Sequence, residues 1–393
     1  MHFLHRKRLP KLTPNLSQEP FNEKQAKKYS EAYYNLLLDA VRIRLRADVM
    51  VGSALSGGLD SSSIVYLINE LLEAEEKNDK QITFSSVYKS KEVLHCDESS
   101  FINNLAKFLH IDSKQIEPRS KDIPAEHQRM IYAMDTPPEG TLMSSWHTFI
   151  CAKSNRVKVT IDGQGADEML AGYLFYIMNY ILSLKGNVIK ESGRLFQIPG
   201  AKILVFAGLA LNLAEKFISK SNLKSVLNIV GKKRDPFEPL NHSLAEDTFH
   251  NLLTLIHYAD RTSMAHSIES RMPFMDYRLV EYLAAVPACY KIHRGWTKYI
   301  ARLAMDRKLP NEITWRKDKM GWPIPEKYWF KNPLKDWFCK KITDSYFLKQ
   351  LGYSQKIIGQ CVKGNRLDKS IRLLNLAVWH DVFFYRQSDG SFE

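Results

Sequence analysis

From Glu23 to about Arg46, apolar residues recur at helical spacing (Tyr33, Leu37, Ala40, Val41, Ile43, Leu45), which predicts a helix ending near Asp48. The next apolar run, "VMVGSAL" at 49–55, is short and β-branched and reads as a buried strand. Helical character returns from Ser61 to about Glu76. "QITFSSVY" at 81–88 alternates as a second strand, 97–109 predicts a helix, and "VKVTI" at 157–161 is a third strand. A polar, glycine-rich turn follows the first and third of these strands, and each turn leads into a helix. From about 170 onward the pattern is nearly all helical. Residues 1–22 hold three prolines and little periodicity, and read as an arm or linker.

Strands alternating with helices predict an α/β fold, a doubly wound parallel sheet with helices on both faces. The expected division is a sheet part over about 49–175 and a helical part over about 176–393, within one domain from 23 to 393. In such sheets ligands bind beyond the carboxyl ends of the strands, where both glycine-rich turns fall. The apolar stretch "ILVFAGLALNLA" at 203–214 is too short to span a bilayer and suits a buried or interfacial helix.

Composition narrows the classes. Apolar content of 45% with 25% charged residues is that of a globular protein. The five cysteines (Cys96, Cys151, Cys289, Cys339, Cys361) are scattered without metal-ligand spacing, which favours a reducing cytoplasmic setting over a disulfide framework. The net charge of +13 invites a nucleic-acid reading, but the basic residues are spread along the chain. The densest runs, "HRKR" at 5–8 and "GKKR" at 231–234, carry no interleaved aromatics. Polyanionic small molecules are the favoured partners, with neither nucleic acid nor membrane expected.

The first turn reads Ser56-Gly57-Gly58-Leu59-Asp60-Ser61-Ser62. Adjacent glycines let backbone N–H groups approach an anion, and the following helix adds the positive end of its dipole. The hydroxyls of Ser56, Ser61 and Ser62 can donate to phosphate oxygens, and Asp60 beside them suggests a Mg²⁺ ligand. No lysine follows the glycines, so this is not the Gly-Lys-Ser/Thr loop. A plain Ser/Gly connection with a helix cap is the structural alternative. The Ser-Gly-Gly-x-Asp-Ser pattern arises by chance at a rate of about 10⁻⁶ per position, which weighs against that alternative.

"SGGLDSS" resembles the pyrophosphate-binding loop of the N-type ATP pyrophosphatases, whose fold is the adenine nucleotide alpha hydrolase-like kind. The second turn, "IDGQGADEMLAGY" at 161–173, resembles the Gly-x-Gly-x-Asp-Glu motif of the asparagine synthetase family. "DRTSMAHSIESRMPFMDYRLVEYLAAVP" at 260–287 matches that family's block almost throughout. On physical grounds alone, Glu269 and Arg271 there suggest an internal ion pair, Pro273 a helix interruption and Asp276 a helix cap. "TWRKDKMGWPIPEKYW" at 314–329 resembles the family's Arg-x-x-Lys-x-Gly-Phe segment, with Trp322 replacing Phe and Lys319 as the matching lysine. "SIRLLNLAVWHDVFF" resembles its closing helix.

The resemblance implies ATP and Mg²⁺ as cofactors, with Asp60 and Asp167 holding the metal and Gly163 lining the AMP site. Ser56, Gly57, Gly58, Asp60, Ser61 and Ser62 would hold the pyrophosphate end, and Ser86 and Val87 sit where a sheet-end residue could meet adenine. Lys319 would stabilise transition-state charge. The implied reaction adenylates a carboxylate, with aspartate foremost, and then forms an amide with ammonia or another amine.

Two departures qualify this. Family members that make asparagine carry glutamate where this chain has Gln164, and glutamine orients but does not take a proton at neutral pH. Glu168 or pyrophosphate would then be the base. Glutamine-using members also begin with a glutaminase domain whose cysteine stands at position 2, where this chain has His2. The expectations are direct use of an amine, a separate glutaminase partner, or a truncated or split gene product, with a homodimer left open. Another amide ligase of the same branch and a non-catalytic subunit are the alternatives. A tRNA-modifying pyrophosphatase fits the charge but not the 260–276 block.

Overall fold

The computed structural model describes residues 13–17, 19–74, 80–184, 188–215, 217–219, 222, 235, 237–318, 323–353 and 367–384. The basic runs at 5–8 and 231–234, Lys319 and Trp322 lie outside the described residues.

Among the described residues, five strands form one parallel sheet: β1 (Val51–Ala54), β2 (Ile82–Ser86), β3 (Asp112–Ile116), β4 (Val159–Ile161) and β5 (Glu269–Arg271). Their order is β3-β2-β1-β4-β5, with Ser53 of β1 in register with Thr83 on one side and Ile161 on the other. The chain lays β2 and β3 outward from β1, then returns to the other side of β1 for β4. That reversal leaves a crevice beyond the carboxyl ends of β1 and β4, the place where doubly wound sheets take ligands.

The helices named first are α1 (Glu23–Arg44), α2 (Leu59–Ala74), α3 (Ser99–Phe108), α4 (Ile123–Met134), α5 (Met143–Ser154), α6 (Ala166–Leu170), α7 (Tyr176–Ser183), α8 (Val188–Leu195) and α9 (Lys202–Ala214). Asn22 caps α1 by accepting from the Gln25 N–H at 3.0 Å, and the helix buries Ala26, Tyr33, Leu37, Ala40 and Val41. Ile43 instead faces outward and Leu45 falls past the helix end. Ile64, Val65, Leu67 and Ile68 of α2 join the same core under β1. Truncating one such residue to alanine costs about 2–5 kcal/mol. A second core lies among α4, α5 and the C-terminal helices Glu326–Lys331, Lys335–Thr343 and Leu367–Phe384.

Three expectations are corrected. The sheet gains β3 at 112–116, and it gains β5 from inside the stretch read as wholly helical. Both are edge strands of polar sequence ("DSKQI" and "ESR"), half-buried or exposed throughout β3 and β5, so no apolar pattern announces them. Pro273 opens a short 3₁₀ turn after β5 rather than breaking a helix, because the preceding helix has already ended at Met264. Glu269 and Arg271 do pair at 2.7 Å, but Glu269 is 60% exposed, so the pair lies at the surface. Asp276 caps the helix Tyr277–Ala285 as expected, accepting from the Arg278 N–H at 3.1 Å.

The segment before α1 lies against the helical part. The Asn15 N–H donates to the Ala284 carbonyl at 2.9 Å, and Phe21 stacks on His293 with ring centroids 3.5 Å apart.

Candidate active site

The carboxyl end of β1 runs into Ser56-Gly57-Gly58, and α2 begins at Leu59. Gly57 has φ +76°, and a Cβ there would stand 3.0 Å from the Phe101 Cβ, so this turn excludes a side chain twice over. Ser61 braces it: its hydroxyl accepts from the Ser56 N–H at 3.1 Å, lies 2.9 Å from the Ser56 hydroxyl and donates to the Gly58 carbonyl at 3.3 Å. The first turn of a helix leaves its N–H groups without carbonyl partners in that helix. Here that turn opens onto a cavity of about 310 Å³ lined by Ser56, Gly58, Asp60 and Ser61.

The second turn closes the cavity from β4. Asp162, Gly163, Gln164 and Asp167 all line it. Gly163 lies so close to the first turn that a Cβ would come within 3.0 Å of the Ser61 nitrogen and 3.2 Å of the Asp60 carbonyl carbon. The two motifs, about a hundred residues apart in sequence, are thus in backbone contact. Asp162 is buried and accepts from the Ser270 hydroxyl; burial pushes its carboxyl up to about 6. Glu168 is also buried and accepts from the Tyr173 hydroxyl at 2.8 Å; burial and the nearby Asp167 raise its pKa.

A cation that the motifs did not announce sits between the two aspartates. Lys298 Nζ pairs with Asp60, and with Asp167 at 2.6 Å, and its side chain is 4% exposed. Burial opposes its charge, but Asp167 and Asp60 outweigh burial and raise its pKa. Gly172 makes room for the pair, since a Cβ there would overlap Asp167 Oδ1 at 1.7 Å and Lys298 Cε at 2.3 Å. Lys298 itself has φ 55°, a left-handed conformation unusual for lysine, at the start of the helix Tyr299–Met305. One turn on, Arg302 lines the same cavity and donates to the Thr297 carbonyl at 2.8 Å; burial lowers its pKa to about 10, against the pull of Asp60.

Arg316 and Asp318 bring the 314–329 segment to the cavity wall. Arg316 grips the buried Glu98 with both terminal nitrogens, one of them at 2.8 Å, and its guanidinium lies 3.9 Å from the Phe101 ring centroid. Phe101 in turn abuts Gly57, so this fork supports the first turn from behind.

Of the residues singled out in sequence, Ser56, Gly58, Asp60, Ser61, Gly163, Gln164 and Asp167 therefore converge on one cavity. Gly57, Ser62, Ser86 and Val87 are not in its wall. Ser62 is buried in the inner face of α2, where its hydroxyl has no hydrogen-bond partner among the described residues. The Ser86 hydroxyl donates to the Ser144 carbonyl at 2.8 Å, and Val87 is core. Lys298, Arg302, Arg316 and Tyr173 were missed. "WTKYIAR" does show two cations four apart in an apolar setting, but Asp60, the carboxylate that pairs with Lys298, is 238 residues away.

Among the described residues no group of three or more His, Cys, Asp or Glu is placed to hold a metal. Mg²⁺ with a nucleotide needs less, usually one or two carboxylates with phosphate oxygens completing the shell. Asp60 and Asp167 meet that requirement, and the ammonium between them marks the spot as one that favours positive charge.

The sequence model of the asparagine synthase family matches residues 32–381. Asparagine synthetase (glutamine-hydrolyzing) 1 of Bacillus subtilis (strain 168) is 26% identical over 396 aligned positions, covering 92% of this chain and 60% of the relative. A putative asparagine synthetase (glutamine-hydrolyzing) of Mycobacterium bovis is also 26% identical, covering 94% and 60%. A protein named amidase chry2 from Gibberella zeae is 23% identical, covering 82% and 56%. The chain thus spans about 60% of the length of the first two relatives.

Proposed function

The chain belongs to the asparagine synthase family, and from that premise we propose that it is an ATP-dependent amide ligase. A carboxylate oxygen of the first substrate, aspartate foremost, attacks the α-phosphorus of ATP. The α–β phosphoanhydride bond breaks, giving an acyl-adenylate and pyrophosphate. Ammonia or another amine then attacks the acyl carbon, AMP leaves with the bonding pair, and the amine's proton passes to a base.

The observation that carries this reading is the backbone contact of the two glycine turns around Asp60, Lys298 and Asp167 in one cavity. Ser56, Ser61 and the first turn of α2 would hold pyrophosphate oxygens, and Gly58 leaves room for them. Asp60 and Asp167 would hold Mg²⁺, which offsets the charge of the triphosphate. Lys298 and Arg302 would supply fixed positive charge where the leaving group gains negative charge, with Lys319 in the same role. Gln164 would orient a substrate through its amide, and Glu168 or the departing pyrophosphate would take the proton. Nitrogen could come from a separate glutaminase.

A second reading keeps the adenylation and changes the acceptor. Gln164 in the cavity wall favours it, as does the chain's similarity to a protein named an amidase.

The test is exchange of labelled pyrophosphate into ATP, dependent on aspartate. Exchange with aspartate supports the first reading, and exchange only with another carboxylic acid supports the second. No exchange with any acid tested overturns both. Asp60→Asn is expected to abolish exchange while the chain still folds, since Lys298 keeps its pair with Asp167.

A further inference from the structure

The loop between α4 and α5, residues 135–142, delivers Leu142 to the cavity wall. Its middle is tied to neighbouring helices. The Asn375 amide donates to the Pro138 carbonyl at 2.7 Å and to the Gly140 carbonyl at 3.0 Å, and the Glu139 N–H donates to the Tyr258 hydroxyl at 3.1 Å. Leu142 itself has φ 52° and ψ 17°, a left-handed conformation that a leucine keeps only where its surroundings hold it. Its carbonyl starts α5, accepting from the Trp146 N–H at 3.0 Å and from the Ser145 hydroxyl at 2.9 Å. Leu142 and Ser145 both line the cavity, so the geometry of this one turn sets a stretch of its wall.

The residue just before the turn is held by a carboxylate 185 residues further on. Glu326 Oε1 accepts from the Thr141 N–H at 3.0 Å and from the Thr141 hydroxyl at 2.5 Å, and Thr141 is fully buried. Both hydrogen bonds of Glu326 among the described residues go to Thr141. Burial opposes the carboxylate's charge and raises its pKa, against the pull of the two Thr141 donors. An acid kept there without a neighbouring cation is accounted for by those donors, which would otherwise be buried without an acceptor. The same stretch of chain reaches α5 again: the Ser144 hydroxyl donates to the Pro323 carbonyl at 2.7 Å, while the Ser86 hydroxyl at the end of β2 donates to the Ser144 carbonyl at 2.8 Å.

We propose that Glu326 is a positioning residue for the cavity: by fixing Thr141 it holds the left-handed turn at Leu142, and so sets where Leu142 and Ser145 meet a bound substrate. Glu326 is not in the cavity wall and acts only through the turn. The proposal rests on the reading of the cavity as the site of adenylation. Without the carboxylate, the Thr141 N–H and hydroxyl lose their acceptor and the turn relaxes towards backbone conformations that leucine prefers.

The test combines pyrophosphate exchange by the full chain with amide hydrogen exchange over residues 141–146. Glu326→Ala should raise KM for ATP or for the carboxylic acid at least about tenfold, with kcat changed less than about threefold, and should speed hydrogen exchange over 141–146. Glu326→Gln keeps a side-chain oxygen that accepts from the same two donors, and should stay within about threefold of the parent in both KM values. Thr141→Val removes the hydroxyl and keeps the N–H, so its KM should fall between the two, and it carries the comparison if the alanine variant does not fold. Parental KM values in Glu326→Ala, or in Thr141→Val where alanine fails, would overturn the proposal. So would a glutamine variant as impaired as alanine, or unchanged hydrogen exchange over 141–146. A parent with no pyrophosphate exchange overturns the adenylation reading instead, and the hydrogen-exchange comparison then decides by itself whether Glu326 holds the turn.

Discussion

Replacing Lys298 by methionine keeps most of the buried stem and removes the ammonium between Asp60 and Asp167. Removing one partner of a buried pair costs about 3–5 kcal/mol, because the remaining charge is left without compensation. Lys298 is 4% exposed and each carboxylate 16%, so water reaches the carboxylates and the lower figure, about 3 kcal/mol, applies. For 393 residues, an unfolding entropy of about 2.1 cal/mol/K per residue converts that loss to a fall in melting temperature of about 4 °C. Scanning calorimetry without nucleotide reads it directly. Because the lysine's pKa is raised in the fold, its contribution is fully present below its unfolded pKa and is lost only as pH rises through the higher folded one. The deficit should therefore be constant across neutral pH. Millimolar Mg²⁺ should restore more of it in the variant than it adds to the parent, since the divalent ion then meets two carboxylates that have lost the lysine between them. A variant that melts within about 1 °C of the parent and responds to Mg²⁺ identically would refute the bridging role.

Other perturbations follow from the same geometry. Gly163→Ala puts a methyl group 3.0 Å from the Ser61 nitrogen, so it should cost about 1–3 kcal/mol and slow pyrophosphate exchange more than it lowers the melting temperature. Arg316→Ala leaves Glu98 buried without its fork and should cost about 3–5 kcal/mol by denaturant unfolding, with Arg316→Lys intermediate. Asp162 has its folded pKa raised to about 6, so the folded state favours its protonated form and stability falls as pH rises through about 6. Asp162→Asn should consequently gain on the parent, by up to about 2–3 kcal/mol, between pH 4 and pH 7 in paired thermal melts.

The parts of the fold legible in the chain were those whose burial shows as pattern. β1 and β4 lie within apolar runs, β2 within an alternating one, and α1 carries its stripe from Tyr33 to Val41. The edges β3 and β5 were not legible, because an edge strand of polar residues has the same pattern as a loop. In the site, small residues were the readable signal: Gly57 and Gly163 stand out where a side chain would crowd its neighbours. Lys298 was unreadable for the opposite reason. An isolated lysine in sequence is an ordinary surface residue, and only the fold brings it to Asp60 and Asp167.

The late origin of β5 has a mechanical consequence. Everything from α6 to Met264 is a loop closed at both ends on neighbouring strands, since β4 and β5 pair and the Asp162 N–H donates to the Arg271 carbonyl at 2.8 Å. Cutting the backbone between α9 and Phe237 would leave two pieces still joined across the cut. Tyr176 would donate to Asp247 at 2.6 Å, Asn179 to the Glu238 carbonyl at 3.1 Å, and the Leu240 N–H to the Ser183 hydroxyl at 3.2 Å. A nicked chain should therefore run as one particle under native conditions and as two only once it is unfolded.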